Sequence, residues 1–68
     1  MNIEEAWDTL MGTGVTSYTT SVKLQNGVLL VSLSSSVLRE ELSYGKEKII
    51  RMINEELGES LVKKLMLV

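Results

Sequence analysis

The N-terminal residues of the chain repeat apolar side chains with the period of an α-helix. The apolar positions that share one helical face are Ile3, Ala6, Trp7, Leu10 and Met11. Asn2 followed by Glu5 fits a capping box, in which an N-cap acceptor precedes a carboxylate by three positions. Gly12 and Gly14 are expected to end the helix, because glycine disfavours helical backbone. The pattern therefore predicts a short first helix that buries Trp7.

From Val15 onwards the period changes to two, which is typical of β-strands. We expect one strand face to carry Tyr18, Thr20, Val22 and Leu24, and the other to carry Thr19, Ser21 and Lys23. Asn26-Gly27 predicts a hairpin turn, since a type I′ turn needs positive φ at both central residues. On the returning strand, Leu29, Val31 and Leu33 share one face, and Val28, Leu30 and Ser32 share the other.

The longest helical pattern follows the serine run Ser34 to Ser36, which offers several N-cap residues. Its apolar stripe comprises Leu38, Leu42, Gly45, Ile49 and Ile53, widened by Ile50, Met52 and Leu57. Gly58 is a suitable residue to follow a helix, so we expect one continuous helix that ends near Leu57. The tail from Leu61 to Val68 is interpreted as a final strand.

The predicted order of elements is helix, strand, strand, long helix, strand (α-β-β-α-β). An amphipathic sheet in a chain of this order is most simply covered on one face by two helices. The last strand follows a helical crossover, so we expect it to run parallel to one hairpin strand. The predicted fold is α+β, a three-stranded sheet with two helices packed on one face, in a single domain spanning residues 1–68.

Composition argues against catalysis. The chain has 68 residues, 44% of them hydrophobic, and contains neither cysteine nor histidine. It therefore has no disulfide, no thiolate metal ligand and no imidazole general base. Glu40 and Glu41 are adjacent and point about 100° apart on a helix, whereas a catalytic pair must aim at one substrate. We expect no enzyme, no cofactor and no metal site.

Neither a secretory signal nor a membrane span is recognisable in the pattern. Glu4, Glu5 and Asp8 interrupt the N-terminus where the apolar part of a signal would lie. The longest aliphatic run, Val28 to Val31, is far shorter than the roughly 20 residues of a membrane span. We therefore expect a cytoplasmic protein. Seven basic and nine acidic residues give a net charge of −2, which argues against strong sequence-independent binding of phosphates by the whole surface.

Several short motifs follow one another along the chain in a specific order. They are Ala6-Trp7 with Met11-Gly12, Tyr18-Thr19, Val22-Lys23-Leu24, Asn26-Gly27-Val28-Leu29, Ser35-Ser36 leading to Glu41-Leu42, Leu57-Gly58-Glu59 and Leu65-Met66-Leu67. This series resembles the bacterial DciA family, whose members carry Trp-x-x-x-x-Gly, His-Thr-x-Pro, Gly-x-Leu-x-Val and Ser-x-x-Trp-x-x-Glu-Leu motifs in this order. The resemblance extends from Ala6 to Leu67.

The chain departs from the family pattern at three positions. Tyr18 stands where the family usually has histidine, Ser21 where it often has proline, and Leu38 where a second tryptophan is common. Family members also usually carry a basic helical segment ahead of the first tryptophan, and we expect this chain to lack it. The resemblance implies a fold similar to the K-homology (KH) domain, binding to single- or double-stranded DNA, and the replicative DNA helicase as a partner.

Phosphate contact requires basic side chains, and the candidate nucleic-acid-binding residues are Lys23, Arg39 and Lys46. Arg39 and Lys46 lie two turns apart on one flank of the predicted helix. Ordinary solvated surface charge is the alternative interpretation of all three. The chain has no Gly-x-x-Gly, the loop with which KH domains clamp phosphates, and only one tryptophan and two tyrosines for base stacking.

Three functional hypotheses remain open at this point. The first, implied by the resemblance, is a replication accessory domain that binds the replicative helicase and contacts DNA weakly. The second is a protein-interaction or homodimerisation module without nucleic-acid binding, which uses a sheet edge or the hairpin face carrying Val28 and Leu30. The third is an RNA-binding KH-like domain. Trp7 is expected in the core, with a role as a partner anchor as the alternative.

Overall fold

The computed structural model describes residues 1–68 and contains one three-stranded sheet and four helical segments. The elements are α1 (Ile3–Met11), α2 (Thr13–Thr16), β1 (Thr19–Gln25), β2 (Val28–Leu33), α3 (Ser36–Ser43), α4 (Lys46–Leu57) and β3 (Lys64–Leu67). The strand order is β1-β2-β3, with β1 antiparallel and β3 parallel to β2. The predicted α+β class and the parallel last strand are confirmed.

The local signals at the ends of elements act as predicted. The Asn2 side chain accepts a hydrogen bond from the Glu5 amide (2.8 Å), and the Ser35 hydroxyl accepts one from the Leu38 amide (3.2 Å). Each bond satisfies a backbone donor that has no partner within its own helix. Asn26 and Gly27 have φ values of 50° and 80°, as a type I′ hairpin turn requires.

The single long helix predicted up to Leu57 is wrong, because the chain breaks it at Tyr44 and Gly45 into α3 and α4. Gly45 has φ −124° and ψ 28°, outside the helical region, and becomes the N-cap of α4. Glycine costs about 1 kcal/mol within a helix relative to alanine. The break also lets Leu42 on α3 and Ile49 on α4 each reach the core from its own helix.

The predicted strand faces are wrong at the start of β1. Thr19 pairs with Leu33 but Ser21 pairs with Ser32, so Thr20 is an extra residue that forms a β-bulge. Residues 21–25 alternate as predicted, and the shift by one position affects the part of the strand before the bulge. Thr19 therefore lies on the same face as Val22 and Leu24, not opposite them.

The core consists of nine buried apolar residues between the sheet and the helices. They are Ala6, Trp7, Leu29, Val31, Leu33, Ile49, Ile53, Val62 and Leu65. The prediction that Trp7 is a core residue is confirmed, since its side chain is 0% exposed. Its indole Nε1 donates to the Thr19 hydroxyl (3.1 Å), which in turn donates to the Val15 carbonyl (2.9 Å). The bulge thus supplies the partner that a buried indole N–H requires.

The last strand is shorter than predicted, because residues 61–63 approach the sheet without pairing as a strand. Asn54 on α4 holds this segment. Its side-chain oxygen accepts from the Val62 amide (2.8 Å), and its side-chain nitrogen donates to the Val62 carbonyl (3.0 Å). The Val62 side chain is thereby placed in the core, 1% exposed.

Candidate interaction surfaces

The two faces of the sheet differ completely in what covers them. Leu24, Leu29 and Leu65 are paired across the three strands and point to the helices. Strand alternation turns the neighbouring positions away from the helices. We call this second surface the open face, and its residues are Ser21, Lys23, Gln25, Val28, Leu30, Ser32, Lys64 and Met66. We call the opposite side of the molecule, which carries the helices, the helical side.

Lys23 is exposed at the centre of β1 and lies on the open face. Its cross-strand partner is Leu30, whose own neighbour on β3 is Met66. The adjacent row of the open face contains Gln25, Val28 and Lys64. Lys23 therefore shares the open face with a second lysine, Lys64, which lies on the opposite edge strand, one row further along, and is not among the three candidate residues.

Arg39 lies on the helical side, on α3, and is half-buried. Its guanidinium Nη1 donates a hydrogen bond to the Leu33 carbonyl (2.9 Å), the last residue of β2. Arg39 thus ties α3 to the sheet, and part of its donor capacity is already used by the fold.

Lys46 is the first residue of α4 and is half-buried. The flank that it was expected to share with Arg39 does not exist, because the two residues lie on different helices. Lys46 stands instead at a helix start whose N-cap, Gly45, offers no side-chain hydrogen bond. The first amides of α4 therefore have no side-chain acceptor, and a helix N-terminus of this kind attracts anions.

The structure does not bring the three predicted residues together. Lys23 lies on the open face, whereas Arg39 and Lys46 belong to helices on the other side of the sheet. A continuous helix would carry Arg39 and Lys46 on one flank, and the break at Gly45 separates them onto α3 and α4.

Acidic side chains are absent from the sheet. No aspartate or glutamate lies between Asp8 and Glu40 or after Glu59. All nine acidic residues therefore belong to α1, α3 and α4 or to the residue pair that follows α4. Three of the seven basic residues, Lys23, Lys63 and Lys64, lie on the sheet or on the segment leading to β3. The sequence alone shows that residues 9–39 and 60–68 contain no carboxylate side chain. This pattern is the signal from which Lys64 could have been selected as an interaction residue.

A polar cleft of about 600 Å³ lies between α1 and the edge strand β1. It is lined by Glu4, Asp8, Thr16, Thr19, Thr20, Ser21, Val22 and Lys23. Small-molecule sites are predominantly apolar, and only one residue here is hydrophobic. The two carboxylates also oppose binding of phosphate. No cluster of three or more acidic side chains is arranged to hold a metal ion.

The exposed aromatic side chains are the two tyrosines. Tyr44 is 81% exposed at the break between α3 and α4, and its hydroxyl donates to Glu40 Oε1 (3.2 Å). Tyr18 is 48% exposed just before β1. With Trp7 buried, only these two rings are accessible for stacking on a base.

Comparisons with known proteins bear on the whole chain. The family model described as "Dna[CI] antecedent, DciA" matches residues 2–67, which includes every helix and strand. The resemblance inferred from the order of motifs is therefore confirmed. Neither a curated protein nor a solved structure was found to match the chain. None of the helices has the length and apolar character needed to cross a bilayer.

Proposed function

This chain belongs to the DciA family, and from that premise we propose that it is a non-enzymatic accessory domain that assists loading of the bacterial replicative helicase and contacts DNA weakly. Family membership implies a role related to helicase loading in replication. The observation that carries the proposal is the match over residues 2–67, because it spans the complete fold rather than one motif.

The fold is consistent with a KH-like domain. The parallel strands β2 and β3 are joined by α3 and α4. The break between these two helices provides a surface. There, Lys46, the uncapped start of α4 and the exposed ring of Tyr44 lie within three positions of one another in the chain. This combination of a cation, free backbone donors and an aromatic ring suits a nucleic-acid strand. Glu47 in the first turn opposes it, so the contact is proposed to be weak.

Lys23, Arg39 and Lys46 are proposed as the phosphate contacts, and the structure distinguishes among them. Lys46 is the strongest of the three, because it combines charge with a helix N-terminus. Arg39 has one donor engaged by Leu33. Lys23 lies on the other side of the sheet, so one short nucleic-acid strand does not reach all three at once.

Fluorescence anisotropy with labelled single- and double-stranded DNA across a salt series tests the DNA contact. Replacing Lys46 by glutamine is expected to lower the slope of log affinity against log salt by about one unit, since one phosphate contact is lost. Lys48→Gln is the matched control, because Lys48 is an exposed lysine two positions further along the same helix. Equal slopes for both variants would reject Lys46 as a phosphate contact.

Recovery of the cognate replicative helicase in a pull-down with this chain at low salt tests the partner. If no helicase is recovered, the helicase-loading proposal fails, whatever the DNA result.

A second candidate function is a protein-interaction module without nucleic-acid binding. The apolar residues on the open face and the net charge of −2 favour it. Helicase binding without measurable DNA binding at low salt would select this alternative. The RNA-binding alternative is decided by comparing RNA with DNA of equal length, since only RNA carries the 2′-hydroxyl.

A further inference from the structure

The open face has an apolar centre with a lysine on each side. Val28 and Leu30 lie half-buried on the central strand, and Met66 beside Leu30 is 40% exposed. None of these three side chains belongs to the core or packs against it. Lys23 on β1 and Lys64 on β3 are exposed at the two edges. The protein's own helices leave this surface uncovered.

We propose that the open face is a docking surface for an amphipathic helix of a partner protein, one whose apolar ridge is flanked by carboxylates. The inference rests on the proposed function, because it names the surface through which the domain holds its protein partner. The chemistry follows from complementarity: the open face offers apolar area and positive charge, and none of its eight residues is acidic.

The dimensions of the open face suit a helix. The edge strands that carry Lys23 and Lys64 are two strand spacings apart, which is about 10 Å. An α-helix with its side chains is about 10 Å wide. A helix lying along β2 sets its apolar ridge on Val28 and Leu30. Its flanking carboxylates then stand above the two lysines.

Other occupants suit the open face less well. In a face-to-face dimer each copy contributes Lys23 and Lys64 to one interface that contains no carboxylate, so the two copies repel. A nucleic-acid strand finds no aromatic ring on the open face for stacking. Its phosphates gain nothing from the apolar centre formed by Val28, Leu30 and Met66.

The docked area is small, so the complex is expected to be weak. A three-stranded face a few residues long presents a few hundred Å², whereas a standard interface buries about 800 Å² on each partner. We therefore expect fast exchange between free and bound states. NMR titration is suited to such a complex.

The test uses the isotope-labelled chain and a synthetic helical peptide with a leucine ridge flanked by glutamates. Amide shift changes are expected on the open-face strands, at residues such as Leu30 and Met66. Lys64→Glu is expected to weaken peptide binding by about tenfold, because one ion pair becomes a repulsion. Lys48→Glu on the helical side is the charge-matched control and is expected to change binding less than about twofold.

Specificity for charge and for the apolar centre is checked separately. A peptide with lysines in place of the glutamates is expected not to bind. Met66→Ser is expected to weaken binding by at least about fivefold, as truncation of a central apolar contact does. Val37→Ser is its control, since Val37 is 67% exposed on α3.

Three results would overturn the proposal. They are equal binding of the glutamate and lysine peptides, shift changes confined to the helical side, and a DNA oligonucleotide that occupies the open face while the peptide does not. The helicase pull-down separates this inference from the proposed function. Helicase binding that survives Lys64→Glu and Met66→Ser rejects the docking surface alone. Peptide binding without helicase binding rejects the proposed function alone.

Discussion

Replacing Asn54 by alanine is expected to lower the free energy of unfolding by about 2–4 kcal/mol. The side chain makes two hydrogen bonds, one to the amide and one to the carbonyl of Val62. Each backbone group left without a partner costs about 1–3 kcal/mol when buried. The two hydrogen bonds are part-buried, so water replaces part of the lost hydrogen bonding and the total falls in the lower half of the summed range.

This loss is large for so small a domain. A chain of this length is expected to have a total stability of about 5 kcal/mol. Each kcal/mol corresponds to about 4–8 °C in Tm for a domain of this size, so a fall of at least about 8 °C is expected. The loss arises at one place in the fold, because Asn54 anchors residues 61–63, which lead into β3.

Urea unfolding followed by circular dichroism measures the change in stability, and hydrogen exchange at the Val62 amide reports the local effect. Glu55→Ala is the matched control, since Glu55 is an exposed neighbour on the same helix. It is expected to change the stability by less than about 0.5 kcal/mol. Equal stabilities of the two variants, or unchanged exchange at Val62, would refute the argument that Asn54 holds the approach to β3.

Two further predictions concern the core and the hairpin. Trp7→Phe is expected to cost about 1–3 kcal/mol, because it removes the indole donor to Thr19 and leaves a cavity. Thermal unfolding measures it, and a double-mutant cycle with Thr19→Val should show non-additive losses. Gly27→Ala is expected to cost more than about 1 kcal/mol, since φ is +80° and the new Cβ would lie 3.1 Å from Lys63 Cγ. Gly14→Ala, where a Cβ meets nothing within 4 Å, is its control and should not destabilise.

Candidate interaction residues were only partly predictable from the sequence. The sequence selects Lys23 as a candidate interaction residue but not Lys64, because their common face depends on the parallel pairing of β2 and β3. Arg39 and Lys46 were grouped by a helical wheel, and the break at Gly45 invalidates that wheel.

The sequence by itself determined the starts of α1 and α3, the end of α4 and the hairpin turn. Asn2, Ser35, the Asn26-Gly27 pair and the break after Leu57 all act through bonds or backbone angles within a few residues, so local chemistry suffices. The period of two also identified the apolar face of β2, which is regular throughout its length.

Only the tertiary structure decided the features that depend on distant partners. The bulge at Thr20 turns Thr19 towards the core. There the Thr19 hydroxyl accepts a hydrogen bond from the indole of Trp7, which lies twelve positions earlier in the chain. The helix break redirects α3 and α4 to separate parts of the core, and Asn54 acquires its role only when residues 61–63 return to α4. For the bulge and for Asn54, a polar group that must find a partner inside the fold selects the conformation, because an unsatisfied buried polar group costs more than a local irregularity of the backbone. At the helix break, the low helix propensity of Gly45 acts together with the burial of apolar side chains from both helices.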